Sequence, residues 1–275
     1  MTTTRSMYKK ALHDEALFKQ PPSREDCPIC FIRLPSLVSG SSYQVCCGKF
    51  ICNGCIYAVD MLDEREFICP LCRSNSDDDT QRDKEKQRVE AGDCNAINRL
   101  GFSYYEGSNG LEQNHKKAIE LWHQAGKLGC ALSYYNIGNA YMDGIGVAGI
   151  DMDKARHYWE LGAIGGDDSS RHNLGVYEFE KGNINRAMKH FIIAVKMGYK
   201  KSLDAIRESF FYGEMLAVDY ERSLQSYQDY IDEIKSELLP PMKKTNTTNL
   251  LTRDGEDTFL CSTWVSLERS VIEVI

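Results

Sequence analysis

Residues 137–166 read IGNAYMDGIGVAGIDMDKARHYWELGAIGG, and this pattern occurs three times in the chain. The spacing between equivalent positions is 37 residues from the first unit to the second. In the third unit the second half arrives five residues early. The recurring positions are Leu100-Gly101, Ile137-Gly138 and Leu174-Gly175, then Ala118, Ala155 and Ala187, then Trp122, Trp159 and Phe191, then Gly129, Gly166 and Gly198. Self-similarity at this period is typical of stacked repeats.

Each unit is predicted to form two helices, near residues 95–106 and 115–128 in the first unit. Apolar residues recur at helical spacing in both segments, and a glycine, Gly107 or Gly129, follows the last of them. Glycine at that place is typical of a left-handed helix C-cap. The apolar stripes consist of Leu100 and Tyr104 in the first helix and Ala118, Trp122 and Ala125 in the second.

One glycine lies inside the first helix of every unit, at Gly101, Gly138 and Gly175. Glycine destabilises a helix interior by about 1 kcal/mol relative to alanine. Its recurrence therefore predicts that a neighbouring helix approaches too closely for any side chain. The expected fold is mainly α, with antiparallel helix pairs stacked into an α-solenoid.

The pattern Leu-Gly-x-x-Tyr-x-x-Gly followed by Lys-Ala-x-x-x-Trp resembles the Sel1-like repeat, a relative of the tetratricopeptide repeat. The resemblance covers residues 92–236, with three clear units and a fourth, weaker one. Gly144-Ile-Gly146 and Asp153-Lys-Ala155 match its segment between helices, whereas the third unit lacks the Gly-x-Gly. The resemblance implies a scaffold that binds protein substrates or adaptors. Trp122 and Trp159 are interpreted as core residues.

The composition and the distribution of apolar residues argue against nucleic-acid binding and against a membrane span. Forty acidic residues against 33 basic ones give a net charge of −7, which disfavours nucleic-acid binding because phosphate contacts need lysine and arginine. No stretch approaches the roughly 18 consecutive apolar residues of a membrane span, and no signal peptide is evident. The expected location is cytoplasmic or nuclear, where thiols stay reduced.

Eight of the 11 cysteines lie between positions 27 and 72. They form three C-x-x-C pairs and one adjacent pair, and the C-x-x-C spacing lets two thiolates reach one zinc ion. So short a segment has little apolar material to bury, and zinc binding at about 10–16 kcal/mol per structural site can replace a core. Isolated buried thiols, a redox dithiol and another type of zinc module are the alternatives. The pairs are Cys27/Cys30, Cys46/Cys47, Cys52/Cys55 and Cys69/Cys72.

The cysteine segment resembles the RING fingers, in which two zinc ions are held in a cross-brace. The resemblance implies two Zn²⁺ ions, with ligand pairs one and three on the first ion and pairs two and four on the second. It assigns Cys27, Cys30, Cys52 and Cys55 to one ion and Cys46, Cys47, Cys69 and Cys72 to the other.

The segment departs from the RING pattern at one position. Lys49 stands where the pattern places histidine, and a protonated lysine amine does not ligate zinc. Cys46 is predicted to supply the missing thiolate, which would make this an all-cysteine variant. Adjacent cysteines on one ion are geometrically awkward, so Cys46 is the least supported of the eight ligands.

The resemblance also implies a surface that holds a ubiquitin-conjugating enzyme in a reactive arrangement. The matching positions are Ile29, Pro70, Leu71 and Arg73. The predicted function is a RING-type E3 ubiquitin ligase that has no catalytic nucleophile of its own and whose repeats bind the substrate or an adaptor. The alternative is a non-enzymatic zinc-containing interaction scaffold. Simple packing of Ile29 and Leu71 inside the knuckles would fit the scaffold equally well.

A hydrolase or transferase with its own active site is disfavoured, because no nucleophile motif accompanies the histidines. The predicted organisation is an N-terminal helix or disordered segment (1–24), the zinc module (25–75), a charged linker that is solvated chain or an exposed helix (76–91), the solenoid (92–236) and a tail (237–275). In the tail a short helix and disorder are equally compatible with the spacing of Leu260, Trp264, Leu267, Val271 and Val274.

Overall fold

The computed structural model of the protein describes residues 11–22, 24–34, 40–60, 68–74, 78–213 and 217–238. Within these ranges a cysteine-rich part with a two-stranded sheet precedes a series of paired helices. None of the described helices combines the length and the apolar character needed to cross a bilayer. The predicted tail helix with Leu260 and Trp264 lies outside the described residues.

Two strands and eleven helices are defined within the described ranges. They are α1 (residues 11–18), β1 (Ser41–Gln44), β2 (Lys49–Cys52), α2 (Asn53–Asp60), α3 (Asp78–Glu90), α4 (Cys94–Glu106), α5 (His115–Lys127), α6 (Ala131–Asp143), α7 (Met152–Ile164), α8 (Asp168–Glu180), α9 (Ile184–Lys196), α10 (Lys200–Phe211) and α11 (Ala217–Leu238). The fold is mainly helical, as predicted.

The repeat units are helix pairs, and the predicted boundaries of the first unit agree with α4 and α5 to within a residue. Gly107 ends α4 and Gly144 ends α6, both with left-handed φ values, 68° and 71°. The C-cap prediction is therefore confirmed for these two helices. In α5 the C-cap is Leu128, and Gly129 follows it with a φ of 102°. The weak fourth unit forms the pair α10 and α11, with Ile206 and Ser223 fully buried.

The glycines inside α4, α6 and α8 lie directly against an aromatic ring of the second helix in the same unit. A Cβ added to Gly101 would be 2.6 Å from Trp122 Nε1. At Gly138 it would be 2.5 Å from the Trp159 ring and 3.1 Å from the Ala155 carbonyl oxygen. A Cβ added to Gly175 would likewise be 2.4 Å from the Phe191 ring. The predicted close approach is confirmed.

The core of the solenoid is built from the ring that faces each glycine. Trp122, Trp159 and Phe191 are each 2% exposed and belong to successive apolar clusters along the stack. This confirms that the two tryptophans are core residues. Because every unit buries its ring against its own first helix and its neighbours, the repeats have a continuous core of their own.

The segment before the cysteine-rich part is helical over residues 11–18 and packs onto the repeats. Leu17 of α1 is fully buried in the same apolar cluster as Trp159. Phe18 lies beside His190 of α9, with ring centroids 4.7 Å apart. Of the two alternatives for residues 1–24, a helix is therefore what the structure shows for residues 11–18.

The helix α3 occupies most of the stretch that the sequence presented as a charged linker. Its Glu85 is 9% exposed, and Arg99 of α4 donates to its carboxylate at 3.1 Å. Arg88, in the last turn, contacts the cysteine-rich part. Some of the charged residues of α3 therefore make structural contacts instead of facing only solvent.

His190 gives the repeats a defined acid sensitivity. The side chain is fully buried, and burial, reinforced by the nearby Arg171 and Arg186 guanidinium groups, lowers its pKa to about 3. In the unfolded chain this histidine binds a proton below about pH 6.5, whereas in the folded protein it stays neutral. Its contribution to the unfolding free energy is therefore complete above about pH 6.5. That contribution is lost as the pH falls towards 3.

We expect His190→Gln to make the unfolding free energy of the repeats less pH-dependent. Between pH 7 and pH 5 the unchanged protein should lose about 2 kcal/mol more than the variant, because each pKa unit corresponds to about 1.4 kcal/mol. Denaturant unfolding followed by helical circular dichroism at both pH values measures this difference. Parallel losses in the two proteins would show that His190 does not carry the effect.

Candidate metal centre

The eight N-terminal cysteines form two groups of four, and within each group all sulfur atoms lie within 4.8 Å of one another. The first group consists of Cys27, Cys30, Cys52 and Cys55, and the second of Cys46, Cys47, Cys69 and Cys72. Each group therefore joins alternate pairs along the chain, the first with the third and the second with the fourth. This is the grouping that the resemblance implied.

The distances between sulfur atoms suit a tetrahedral metal site. Cys30 Sγ is 3.7 Å from Cys52 Sγ, and Cys47 Sγ is 3.9 Å from Cys69 Sγ. Four thiolates around a zinc ion with Zn–S bonds of about 2.3 Å would be separated by roughly 3.8 Å. The distances exclude disulfides, in which the sulfurs are about 2.05 Å apart, and these cysteines are free thiols. Two sites that could each bind a metal ion are thus present.

The first and fourth cysteine pairs are held by turns of the same construction. In the first, the N–H of Phe31 donates to the Cys27 carbonyl at 2.9 Å, and the N–H of Cys27 donates to the Ile32 carbonyl at 2.7 Å. In the fourth, Arg73 and Cys69 make the equivalent bonds at 2.9 Å and 3.0 Å. Phe31 and Arg73 both adopt a left-handed φ, 60° and 58°. These turns aim both sulfurs of a pair to the same side.

The other two pairs come from the hairpin and the helix that follows it. Strands β1 and β2 pair in antiparallel fashion from Ser41 opposite Cys52 to Gln44 opposite Lys49. Cys46 and Cys47 lie in the four-residue turn between them, and Cys52 ends β2 just before α2, where Cys55 is located. The turn of the hairpin thereby supplies one pair to the second group, and the other end of β2 with the start of α2 supplies one pair to the first group.

The structure places Cys46 with the second group and keeps Lys49 out of it. Lys49 is exposed at the start of β2. The tight turn explains how adjacent cysteines reach one site: the N–H groups of Cys47 and Gly48 both donate to the Gln44 carbonyl, at 3.3 Å and 2.7 Å. Folding the chain back on itself brings both thiols to the same side.

The thiol pKa values differ widely within the two groups. Burial opposes ionisation of Cys27, but backbone N–H groups of Cys30 and Cys52 lower its pKa to about 7. Burial also opposes ionisation of Cys72, whose pKa is nevertheless lowered to about 6 by Ser74, with Oγ 2.6 Å from the sulfur. Burial raises the pKa of Cys52 to about 11 and that of Cys46 to about 12. Four thiolates in one group therefore require a cation to neutralise them.

The donor set fits a soft metal such as zinc or iron, and it does not fit calcium or magnesium. All eight candidate ligands are soft thiols, and neither group contains a carboxylate or an imidazole. Four-sulfur tetrahedral sites are typical of zinc or of iron–sulfur chemistry, whereas calcium and magnesium prefer oxygen ligands. A site closed by four protein ligands has a structural role because no coordination position is left for a substrate.

The predicted partner-binding residues lie on the two similar turns. Ile29 is half-buried against the cysteine cluster, and Pro70 is also half-buried. Leu71 is 37% exposed, and Arg73 is exposed. Sequence analysis missed Phe31, which is 75% exposed on the first turn because of its left-handed backbone. An aromatic residue directly after the C-x-x-C pair was the available signal.

The cysteine-rich part (residues 24–34, 40–60 and 68–74) holds both candidate metal sites and is called the metal module below. It contacts the repeats through Arg88 of α3. The Arg88 guanidinium donates to the carbonyls of Val45 and Cys46 and lies 3.4 Å from the Asp93 carboxylate. The Tyr43 hydroxyl donates to the same carboxylate at 2.5 Å. Asp93 also caps α4, because its side chain accepts from the first N–H groups of that helix. The second cysteine group is thus joined to the first repeat through one arginine and one aspartate.

The histidines do not form a catalytic arrangement among the described residues. His172 Nδ1 is 3.0 Å from the Ser202 hydroxyl, which is the spacing of a nucleophile and its base. Ser202 is fully buried, however, and burial lowers the pKa of His172 to about 4. The pair is a core hydrogen bond that no substrate can reach.

Three of the helix pairs match a known repeat family. The Sel1 repeat family model matches residues 94–130, 131–167 and 169–199, which correspond to the pairs α4–α5, α6–α7 and α8–α9. The fourth pair, α10–α11, follows the last matched stretch. Repeats of this family typically mediate protein–protein interactions.

Among curated proteins, the chain is similar to the ERAD-associated E3 ubiquitin-protein ligase component HRD3B of Arabidopsis thaliana. The two are 28% identical over 120 residues, which is 44% of this chain and 19% of that protein. The chain therefore matches only a small part of that relative's length.

Two solved structures are similar at low identity. A Sel1 repeat protein from Oxalobacter formigenes superposes with a TM-score of 0.47 at 21% identity, over 58% of this chain and 65% of the other. The protective antigen c5321 of uropathogenic Escherichia coli, described as displaying an SLR fold, gives a TM-score of 0.48 at 23% identity. That match covers 58% of this chain and 35% of the antigen.

Proposed function

We propose that residues 25–75 form an all-cysteine RING-type module that binds two zinc ions and recruits a ubiquitin-conjugating enzyme. The observation that carries this proposal is the alternate grouping of the four cysteine pairs. A linear array of zinc fingers would group neighbouring pairs instead. The exposed Leu71 and Arg73 on the fourth pair's turn supply side chains that a partner can reach.

As part of a ubiquitin ligase, the module would have an indirect role in ubiquitin transfer. Closed sulfur shells leave no coordination site for a substrate, so the module acts by holding the ubiquitin-charged enzyme in a reactive arrangement. The Sel1 repeats bind the protein substrate or an adaptor. The name of the Arabidopsis relative, a component of an E3 ligase assembly, supports a place in ubiquitin conjugation. A reduced-thiol site fits a cytoplasmic or nuclear location.

A scaffold without ligase activity is the second candidate. The observation that favours it is Lys49, which is exposed at the position where the RING pattern places histidine. The scaffold would keep both zinc ions and the repeats but would not stimulate ubiquitin transfer. The two candidates differ in one measurable property, the discharge of ubiquitin from a charged conjugating enzyme.

We expect the full chain to accelerate ubiquitin discharge to lysine from at least one charged conjugating enzyme. Ile29→Ala should lose most of this activity and retain both zinc ions, because Ile29 lies between ligands without being one. Truncating an interface anchor typically costs about 2 kcal/mol, close to a 30-fold loss of affinity. Arg73→Ala should slow discharge more than it weakens enzyme binding.

Lys49→Ala is the matched control for this assay. Lys49 is an exposed residue of the same module, outside the candidate surface, so its removal should leave discharge unchanged. Discharge rates measured across a panel of charged conjugating enzymes provide the readout. If no member of the panel discharges faster with the full chain than without it, the scaffold is the correct function.

A further inference from the structure

The helix α1 lies in a groove of the repeats as a ligand would. Its Leu17 side chain is fully buried, and it inserts into a pocket made by two consecutive repeats. The pocket consists of Ala155, Trp159, Ala163 and Leu174. The repeat pattern is complete without α1, because each ring already packs on the glycine of its own unit. The helix is therefore an addition to the solenoid.

Charged residues on both sides of the groove hold the exposed edges of α1. On one side His13 Nε2 lies 3.1 Å from the carboxylate of Glu160 in α7. On the other side Asp14 forms an ion pair of 2.9 Å with Arg186 of α9. The groove between α7 and α9 thus fixes the register of the helix.

Arg171 of α8 recognises the end of the helix. Its guanidinium, 1% exposed, donates to the Leu17 carbonyl and, at 3.1 Å, to the Ala163 carbonyl. Leu17 is in the last turn of α1, where helix carbonyls have no partner within the helix and a cation is favoured. A buried arginine aimed at a helix C-terminus distinguishes a helix that ends there from one that continues.

The residues after α1 complete the contact. Pro22 packs on the turn between α7 and α8, 3.3 Å from the position a Cβ would take at Gly166. Arg24 donates to the Met197 carbonyl at 2.9 Å and pairs with the buried Asp168. The seated segment therefore extends from His13 to Arg24.

The fit of α1 in this groove is incomplete. Neither ring nitrogen of His190 has a hydrogen-bond partner among the described residues, although the side chain is fully buried against Phe18. The Arg171 Nε is also unpartnered within the described part of the chain. A partner helix whose aromatic residue at the Phe18 position carries a polar group, as tyrosine does, would satisfy donors or acceptors that α1 leaves unpaired, and would bind the groove better.

We propose that the groove formed by α7, α8 and α9 is a binding site for a short helix of the pattern Asp-x-x-Leu-aromatic. The residues Asp14, Leu17 and Phe18 of α1 occupy it as a built-in ligand, which a partner protein carrying this pattern displaces. The partner's helix ends at Arg171, and its acidic residue pairs with Arg186. This inference rests on the proposed partner-binding role of the repeats and is independent of the ligase activity.

The test uses a fluorescein-labelled peptide of residues 10–25, KALHDEALFKQPPSRE, and the full chain carrying Leu17→Asp. Removing the leucine anchor should empty the groove, and anisotropy should then show binding at least about 10-fold tighter than to the unchanged chain, whose groove is filled. A peptide that itself carries Leu17→Asp should not bind. Leu12→Asp is the matched control, because Leu12 is 48% exposed on the same helix and its variant should bind as weakly as the unchanged chain.

A second pair of variants keeps Leu17 in place and covers the case in which Leu17→Asp impairs folding. It changes Arg186, which pairs with Glu178 of α8 at 2.7 Å as well as with Asp14. Arg186→Asp in the full chain should prefer the peptide carrying Asp14→Arg over the unchanged peptide, which reverses the preference of Arg186 itself. A folded Leu17→Asp protein that binds the peptide no better than the unchanged chain would overturn the proposal. So would dimers formed by exchange of α1 in light scattering, because the occupant would then be a second copy of this chain. Ubiquitin discharge does not enter any of these readouts.

Discussion

Cys55→Ser should unfold the metal module and leave the repeats folded. The substitution removes one of four thiols from the first group, and a structural zinc site contributes about 10–16 kcal/mol to folding. A single core in so short a segment rarely supplies more than about 3–5 kcal/mol, so we expect the module to unfold without the site. The repeats keep their own core around Trp122, Trp159 and Phe191.

Hydrogen exchange measures this result residue by residue. Protection should vanish in residues 27–34, 41–60 and 69–74 and persist in residues 94–199. Cys94→Ser is the control, because Cys94 is a cysteine outside both groups and its variant should keep the protection of the module. Loss of helical signal from the repeats in Cys55→Ser would show instead that the two parts fold as one unit.

Gly138→Val should destabilise the solenoid by about 3 kcal/mol, the upper end of the cost of overpacking a well-filled core. A Cβ at this position would lie 2.5 Å from the Trp159 ring and 3.1 Å from a backbone carbonyl. The ring cannot retreat, because it is 2% exposed and its Nε1 donates to Asn139 at 3.1 Å. Denaturant unfolding followed by circular dichroism gives the loss of free energy.

A double variant separates the clash from a simple helix-propensity effect. Trp159→Leu makes room beside residue 138, so Gly138→Val should cost less in that background than alone. Non-additivity of this kind is expected of residues in direct contact. Equal costs in both backgrounds would contradict the proposed contact between the glycine and the ring.

The repeats could be predicted from the sequence because their contacts are local and recur. Gly138 and Trp159 lie in adjacent helices, and the same pair occurs at Gly101 with Trp122. The pairing of a glycine with the ring beside it therefore recurs at a fixed spacing, and this recurrence is visible in a single sequence. The spacing of the cysteines gave the four pairs, and only the resemblance to a family implied how the pairs group.

The contacts that join the parts of the molecule could not be predicted. Leu17 is one leucine in a short helix, and nothing in its neighbours indicates that it is buried beside Trp159, 142 residues further along the chain. Arg88 lies in a run of mixed charges typical of a solvated segment. Both residues act through contacts with residues far away in the sequence. Such contacts produce neither a repeating pattern nor a recognisable motif in the sequence. Arg171, a buried arginine in a repeat helix, is hidden for the same reason.

The number of zinc ions bound by the reduced, folded chain tests the central claim most directly. Native mass spectrometry should find two zinc ions in the unchanged protein, one for each group of four thiols. Cys46→Ser should weaken only the second site, because Cys46 belongs to that group alone. One zinc ion or none in the unchanged protein would contradict the two-metal cross-brace, and two tightly held ions in Cys46→Ser would contradict the assignment of Cys46 as a ligand.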